Sequence, residues 1–264
     1  MISTTFQNKT IKNKRLLVFV SVLIWGVIWH VSSLAINRPL LLPSPLEVFA
    51  RIYALIKSPF FWQISFISLW RILSGFIWGV LLGIFLSALS HKIYPLRIFV
   101  SPVISVLRAT PVASFIILVW SFTGSERLPV FISAIMVLPL VYENMLTGLD
   151  GVKAELKEVA WVYDFSLKDK LNALYLPEIM PYFTSALTAS LGLAWKAGIA
   201  AEVLAYTASS IGRELYRAKS TLEITDLFAW TIWIILLSIA LEYVAKQILK
   251  LFTRRRKNAF YRSE

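Results

Sequence analysis

Residues 150–181 read DGVKAELKEVAWVYDFSLKDKLNALYLPEIMP, the one long polar stretch in the middle of an otherwise apolar chain. At helical spacing Val152, Leu156, Val159, Ala160 and Tyr163 fall on one stripe, with Lys153, Glu155, Lys157 and Glu158 elsewhere around the helix. Asp164-Phe165-Ser166 breaks the pattern. Ser166, with Asp169 three residues on, has the composition of a helix N-cap. A second stripe, Leu167, Leu171, Leu174 and Tyr175, runs up to Pro177. Proline disfavours helical backbone at the residue before it, so the second helix is expected to stop there. The reading is a helix–turn–helix of two short amphipathic pieces, set between apolar spans and presenting a surface outside the bilayer.

Composition sets the class. Of 264 residues, 58% are hydrophobic and 16% charged, where a soluble domain has about 25% charged residues. The chain therefore reads as an all-α polytopic membrane protein. A net charge of +12 raises the question of nucleic acid. The basic residues, however, lie between and beyond apolar spans, which points to membrane lipid and away from DNA. There is no cysteine, which excludes disulfides and thiolate metal sites, and His30 and His91 are too far apart in sequence to suggest a metal centre.

Six spans are expected. Residues 16–36 hold no Lys, Arg, Asp or Glu and follow a basic start. At 21 residues this run exceeds the about 7–15 of a signal-peptide core, so it reads as an uncleaved first span. Residues 37–61 form a Pro-rich connector. The second span, about 64–90, carries Gly75, Gly79, Gly83 and Ser87 at four-residue spacing, a small-residue seam for close helix packing. The third, 98–123, is interrupted by Arg108-Ala109-Thr110-Pro111, because Pro111 cannot donate to the helix. Broken backbone at membrane depth is tolerated where it lines a cavity, and an intramembrane charge is a candidate functional group. Arg108 is thus either a pathway charge or a side chain reaching for the interface. The fourth span covers 128–149 and the fifth 182–208, the latter holding Lys196 and Glu202. Six residues separate that pair by about 240° on a helix, so they are not expected to face each other. A polar loop at 209–226 precedes the sixth span, about 227–245, and the chain then ends in a basic tail with Arg254-Arg255-Arg256-Lys257. The chain thus divides into residues 1–60 as basic start, first span and connector, 61–245 as the body of the remaining spans, and 246–264 as the tail.

Topology follows from charge. With both termini in the cytoplasm, 17 of the 27 Lys and Arg fall inside, 7 outside, and Arg71, Arg108 and Lys196 within spans. That bias predicts a multi-pass plasma-membrane protein with the 150–181 loop facing the cytoplasm.

The same loop resembles the EAA loop of bacterial ABC-importer permeases, whose pattern is E-A-A, three residues, G, nine residues, I-x-L-P. Glu158, Ala160, Leu176 and Pro177 match, and Leu174 replaces Ile conservatively. Val159 for Ala and Asp164 for Gly depart from it, and Asp enters a left-handed turn less readily than Gly. Leu41-Leu42-Pro43-Ser44-Pro45, Ser68-Leu69-Trp70-Arg71, and Ala194-Trp195-Lys196 with Ala201-Glu202 resemble stretches of the nitrate/sulfonate/taurine branch. The resemblance implies the six-helix type I importer permease fold with a cytoplasmic coupling helix–turn–helix. It also implies a separate ABC ATP-binding subunit, an extracytoplasmic substrate-binding protein and a second permease copy. No G-x-x-x-x-G-K-[ST] occurs in the chain, so ATP is expected on the partner, with no cofactor here and no enzyme activity of its own.

The expected coupling residues are accordingly Glu158, Ala160, Asp164, Leu174, Leu176 and Pro177, and the candidate pathway residues are Arg108, Pro111, Lys196 and Glu202. Cations in the membrane suit a small oxyanion of the sulfonate, taurine or nitrate class, while the family also moves vitamin precursors. The alternative is a secondary transporter or channel using Arg108, Lys196 and Glu202 as charge relays.

Overall fold

The structure, a computed structural model, describes residues 3–260, with side chains described for 16–251. The basic runs at 9–15 and 254–257 have side chains outside those described. The described chain is helical and contains no strand. In order the helices are α1 (Ser3–Ile36), α2 (Pro45–Ile56), α3 (Pro59–Lys92), α4 (Tyr94–Ala109), α5 (Val112–Asp150), α6 (Ala154–Val162) and α7 (Leu167–Asp169). A π-helical stretch (Lys170–Tyr175) follows, then α8 (Leu176–Leu204), α9 (Ile211–Ser220) and α10 (Ile224–Phe260). Two compact units are formed, one by residues up to Phe61 with Leu215–Trp233, the other by Trp62–Glu214 with residues from Ile234 on.

In the first unit α1 is apolar and exposed over Leu16–Ile36, as a lipid-facing helix should be. Its Trp29 indole donates to the Pro43 carbonyl at 3.1 Å and Ser33 Oγ to that of Leu42 at 3.0 Å, which fixes the start of the connector. That connector is not irregular. Ser44 and Glu47 form a reciprocal capping box and Pro45 sits in the first turn, so a helix starts there and buries Val48 and Ile52 against Ala229. Arg51 on its exposed side pairs with Asp226, a hydrogen bond that raises the Arg51 pKa above its ordinary value.

In the second unit the glycine seam of α3 is answered from within the chain. Cβ atoms placed on Gly79 and Gly83 would stand 2.6 Å from the Ala134 carbonyl oxygen and 2.9 Å from Val141 Cβ, and Gly75 lies equally close to the backbone at Val130. The seam therefore seats α3 directly on α5. Ser87, next on the strip, is fully buried.

Five helices among the described residues are long and apolar enough to cross a membrane. One of them, α5, is two limbs, because Gly124 takes φ 70°, ψ 169°, a conformation open to glycine and closed to helix. A straight helix would hold Ile116 and Met136 about 30 Å apart. Both instead belong to one buried cluster with Ile132, Ala197 and Ala201, so the chain turns back at Gly124. The expected third span is then α4 followed by the first limb of α5, broken at Thr110-Pro111. It packs along the second limb through Ile104, Tyr142 and Leu146. The 39-residue α5 thus contributes its first limb to the third expected span and its second limb to the fourth. The longest contact is between α5 and α8, which run antiparallel. Gly148 lies on Ile179 near one end, Ser133 Oγ donates to the Ala194 carbonyl midway, and Thr207 Oγ1 donates to that of Ser125 near the other.

Two expectations are corrected. Pro177 does not end a helix: it occupies the first turn of α8, and the fifth span starts at Leu176. The six residues before it are wound as π-helix, with the Leu176 N–H reaching back to the Leu171 carbonyl. The wider turn absorbs the donor that proline lacks, so the helix continues without a break. The loop at 209–226 likewise contains α9, which Ser210 caps by accepting the Arg213 N–H at 3.0 Å.

Candidate functional site

The 150–176 segment is a small folded body with its own core. Val152, Ala160 and Leu174 are buried together under Phe165 and Tyr175. Ala160 is 1% exposed, which leaves no room for a larger side chain. The α6 helix ends in a Schellman turn: Phe165 N–H donates to the Ala160 carbonyl at 3.0 Å and Asp164 N–H to that of Trp161 at 3.2 Å. Asp164 occupies the left-handed position at φ 46°, so the place where the EAA pattern has glycine is a left-handed turn here as well. Ser166 then caps the next turn by accepting the Asp169 N–H at 3.2 Å, as its spacing predicts.

The rest of the segment faces outward. Trp161, Val162, Tyr163 and Leu167 are each more than two-thirds exposed, and Leu156, Val159 and Leu171 about half. Of the first stripe only Val152 and Ala160 turn inward. Glu158 is exposed on α6, and Leu176 and Pro177 are partly exposed where the segment runs into α8. An apolar surface of this kind on a well-capped body marks an interaction face, for another protein or for the membrane surface.

Its two ends meet at one histidine. Asp150 accepts from His91 Nδ1 at 2.7 Å and from Arg97 at 2.8 Å, and the His91 ring stands edge-on to Tyr175 at 6.1 Å. The α3–α4 corner is thereby tied to the root of the segment. Sequence spacing gave no hint of this, since His91 and Asp150 are 59 residues apart.

The four candidate pathway residues do not converge. Arg108, at the end of α4 beside the Thr110-Pro111 break, pairs with Glu143 of α5 and is largely exposed. Lys196 is exposed and lines a cleft of about 1230 Å³ between α8 and α10 with Glu242, Lys246 and Lys250. Glu202, fully buried, points the other way, as the six-residue spacing requires. One of its oxygens accepts from Ser68 Oγ at 2.9 Å and from the Gly212 N–H at 3.1 Å, while Ser68 Oγ accepts from the Ile211 N–H at 2.9 Å. Glu202 and Ser68 together satisfy the first donors of α9 and join it to α3 and α8. The other Glu202 oxygen has no hydrogen-bond partner among the described residues.

Sequence spacing did not single out two carboxylates, Glu143 and Glu242. Glu143 lies inside an expected span, which by itself marks a carboxylate for attention. Glu242 precedes Lys246 by one turn, the spacing of a helical ion pair, and the two are 3.4 Å apart. Arg71, expected within the second span, turns inward, donating to the Ala208 carbonyl at 2.9 Å and pairing with Glu126 just past the Gly124 turn.

Comparison with known proteins agrees with this architecture. Residues 75–258 match the family described as "Binding-protein-dependent transport system inner membrane component". A Bacillus subtilis protein named as an aliphatic sulfonates transport permease, SsuC, is 27% identical over 81% of this chain and 76% of its own. The nitrate import permease protein NrtB of Synechococcus elongatus is 29% identical over 76% and 77%. The formylaminopyrimidine transport permease protein ThiX of Halalkalibacterium halodurans is 27% identical over 64% and 67%. Among solved structures, that of an amino acid ABC transporter with histidines superposes with a TM-score of 0.59 at 20% identity, covering 78% of this chain and 96% of that one.

Proposed function

The chain belongs to the family of binding-protein-dependent transport system inner membrane components, with the type I permease fold, and from that premise we propose that it is the membrane-spanning half of an ATP-driven importer of small oxyanions. The observation that carries the coupling part is the self-contained body at 150–176, whose exposed Leu156, Val159, Trp161 and Tyr163 offer an apolar face to an ATP-binding subunit. Glu158 flanks that face. Ala160, Asp164 and Leu174 hold its shape, and Leu176 and Pro177 pass its motion to α8. ATP binds to the partner, and this chain supplies neither a phosphate cradle nor a cofactor.

The assembly in this reading contains two permease copies, the ATP-binding subunits and an extracytoplasmic binding protein. Both termini and the 150–176 body lie in the cytoplasm, as the distribution of Lys and Arg supports. Movement of the loop switches the pathway between its two openings, a transition between discrete packings. Arg108 beside Pro111 and Lys196 in its cleft are the pathway cations. Glu202 belongs to the frame, because its carboxyl is taken up by Ser68 and the start of α9. Nitrate or sulfonate cargo fits both the cations and the relatives named for those ions, with taurine in the same chemical class, and the formylaminopyrimidine in another relative's name stands for a second class.

The test is uptake by the reconstituted complex. Leu156→Asp and Glu158→Lys are expected to abolish ATP-dependent uptake while leaving the permease folded and in the membrane. Uptake that persists without any ATP-hydrolysing partner, unaffected by either change, would instead establish a secondary transporter. Arg108→Gln and Lys196→Gln should each lower anion uptake, and unchanged uptake in both would overturn the assignment of an anion.

A further inference from the structure

We infer that the α8–α10 cleft is the compartment in which the anion waits on the side of the 150–176 body, and that Glu242 sets how weakly it is held there. The inference rests on the oxyanion reading above and adds a residue that sequence spacing, family resemblance and named relatives leave unassigned. At about 1230 Å³ the cleft is far larger than nitrate or a short sulfonate, and it exceeds the roughly 300–1,000 Å³ of pockets that enclose a drug-sized ligand. It is a hydrated vestibule whose hold on an ion is set by charge more than by fit.

The charges are arranged on two facing helices. Lys196 projects from α8, and Glu242, Lys246 and Lys250 follow one another at one-turn intervals along α10. The helices are locked together here, since the Trp195 indole donates to the Ile234 carbonyl at 3.1 Å. Glu242 is placed by two contacts. Its carboxylate pairs with Lys246 at 3.4 Å, and its Oε1 lies against α8 where a Cβ on Gly192 would stand 3.1 Å away. Gly192 is one turn from Lys196 on the same face of α8. The carboxylate therefore sits between Lys196 and the two lysines nearer the end of α10. Among the described residues Lys196 and Lys250 are in no ion pair.

Three lysines alone would trap an anion. Net movement through a charged passage requires attraction strong enough to draw the ion in and weak enough to release it. Glu242 cancels Lys246 and repels the ion between Lys196 and Lys250, which divides one deep well into two shallow ones. Removing that charge restores the deep well. In a hydrated cleft a single charge a few ångströms away changes anion binding by about three- to tenfold, more at low salt.

The experiment uses the complete transporter in proteoliposomes, with nitrate and ethanesulfonate as probes, and measures how far ATP-driven uptake is inhibited by the same anion preloaded on the side of the 150–176 body. Glu242→Gln is expected to lower the half-inhibiting concentration about three- to tenfold, Glu242→Asp to stay near wild type, and Lys196→Gln to raise it. Gly192→Leu, which displaces the carboxylate without removing it, should shift inhibition in the same direction as Glu242→Gln. If the probes are transported and Glu242→Gln inhibits like wild type, the role of Glu242 is overturned while the oxyanion reading stands. If neither probe is transported or inhibits, both fall.

Discussion

The Ala160 carbonyl and the Phe165 N–H are joined at 3.0 Å across a turn whose left-handed residue is Asp164. Asp is more tolerant of that conformation than a branched residue but still strained beside glycine. Asp164→Gly should stabilise the 150–176 body by about 0.5–1 kcal/mol, and Asp164→Val should destabilise it by more than about 1 kcal/mol. Local hydrogen exchange at Ala160–Phe165 in the two variants reads this directly. Equal protection in both would mean that the turn is set from elsewhere.

The α3 seam predicts a steep dependence on side-chain size. A Cβ on Gly79 meets the Ala134 carbonyl oxygen and Val137 Cβ, atoms of packed backbone and a branched side chain that cannot swing aside. Gly79→Leu should cost several kcal/mol and remove folded protein from the membrane, with Gly79→Ala intermediate. Gly26, with nothing within 4 Å of its Cβ position, is the internal control, and Gly26→Ala should leave thermal stability unchanged.

Loss of the Glu202 carboxylate strands the Gly212 N–H and the Ser68 hydroxyl in a closed site. Glu202→Leu should therefore lower stability by about 2–4 kcal/mol, whereas Glu202→Gln keeps an acceptor and costs less. Because Ser68 and Glu202 share the α9 donors, Ser68→Ala combined with Glu202→Leu should cost less than the sum of the two. Additive losses in thermal unfolding would show that they do not act as one unit.

Ala160 tests the body's core against its surface. Ala160→Leu cannot be housed beneath Leu174 and should disorder the segment, reducing coupled ATP hydrolysis and uptake together. Trp161→Ala, 77% exposed, should leave the segment folded and weaken only its docking. Binding of the ATP-hydrolysing partner, measured by co-purification, distinguishes the two effects.

Much of this architecture was legible from residue order, for reasons that differ by element. The spans announce themselves because lipid demands apolar length, and the Thr110-Pro111 break because proline has no donor. Ser166 was readable as a cap, since capping is local. Helix α2 could have been found by the same rule, from Ser44, Pro45 and Glu47, inside what reads at first only as a Pro-rich connector. Pro177 was misread because the rule that a proline ends a helix assumes α-helical hydrogen bonding upstream, and the chain changes that pattern instead. The pairing of His91 with Asp150, of Arg71 with Glu126 and of Glu202 with Ser68 was out of reach. Each joins groups more than fifty residues apart, and nothing local in either partner names the other.

The π-wound stretch at Lys170–Tyr175 has a mechanical consequence. Helical winding runs unbroken from Leu171 to Leu204, about 50 Å, with Pro177 in the first turn of α8 and Pro181 one turn further on. The same helix therefore carries the root of the 150–176 body at one end and, at the other, the Glu202 carboxyl that holds the start of α9. Pro181, whose ring removes one helical hydrogen bond, is the point on that path where α8 can bend.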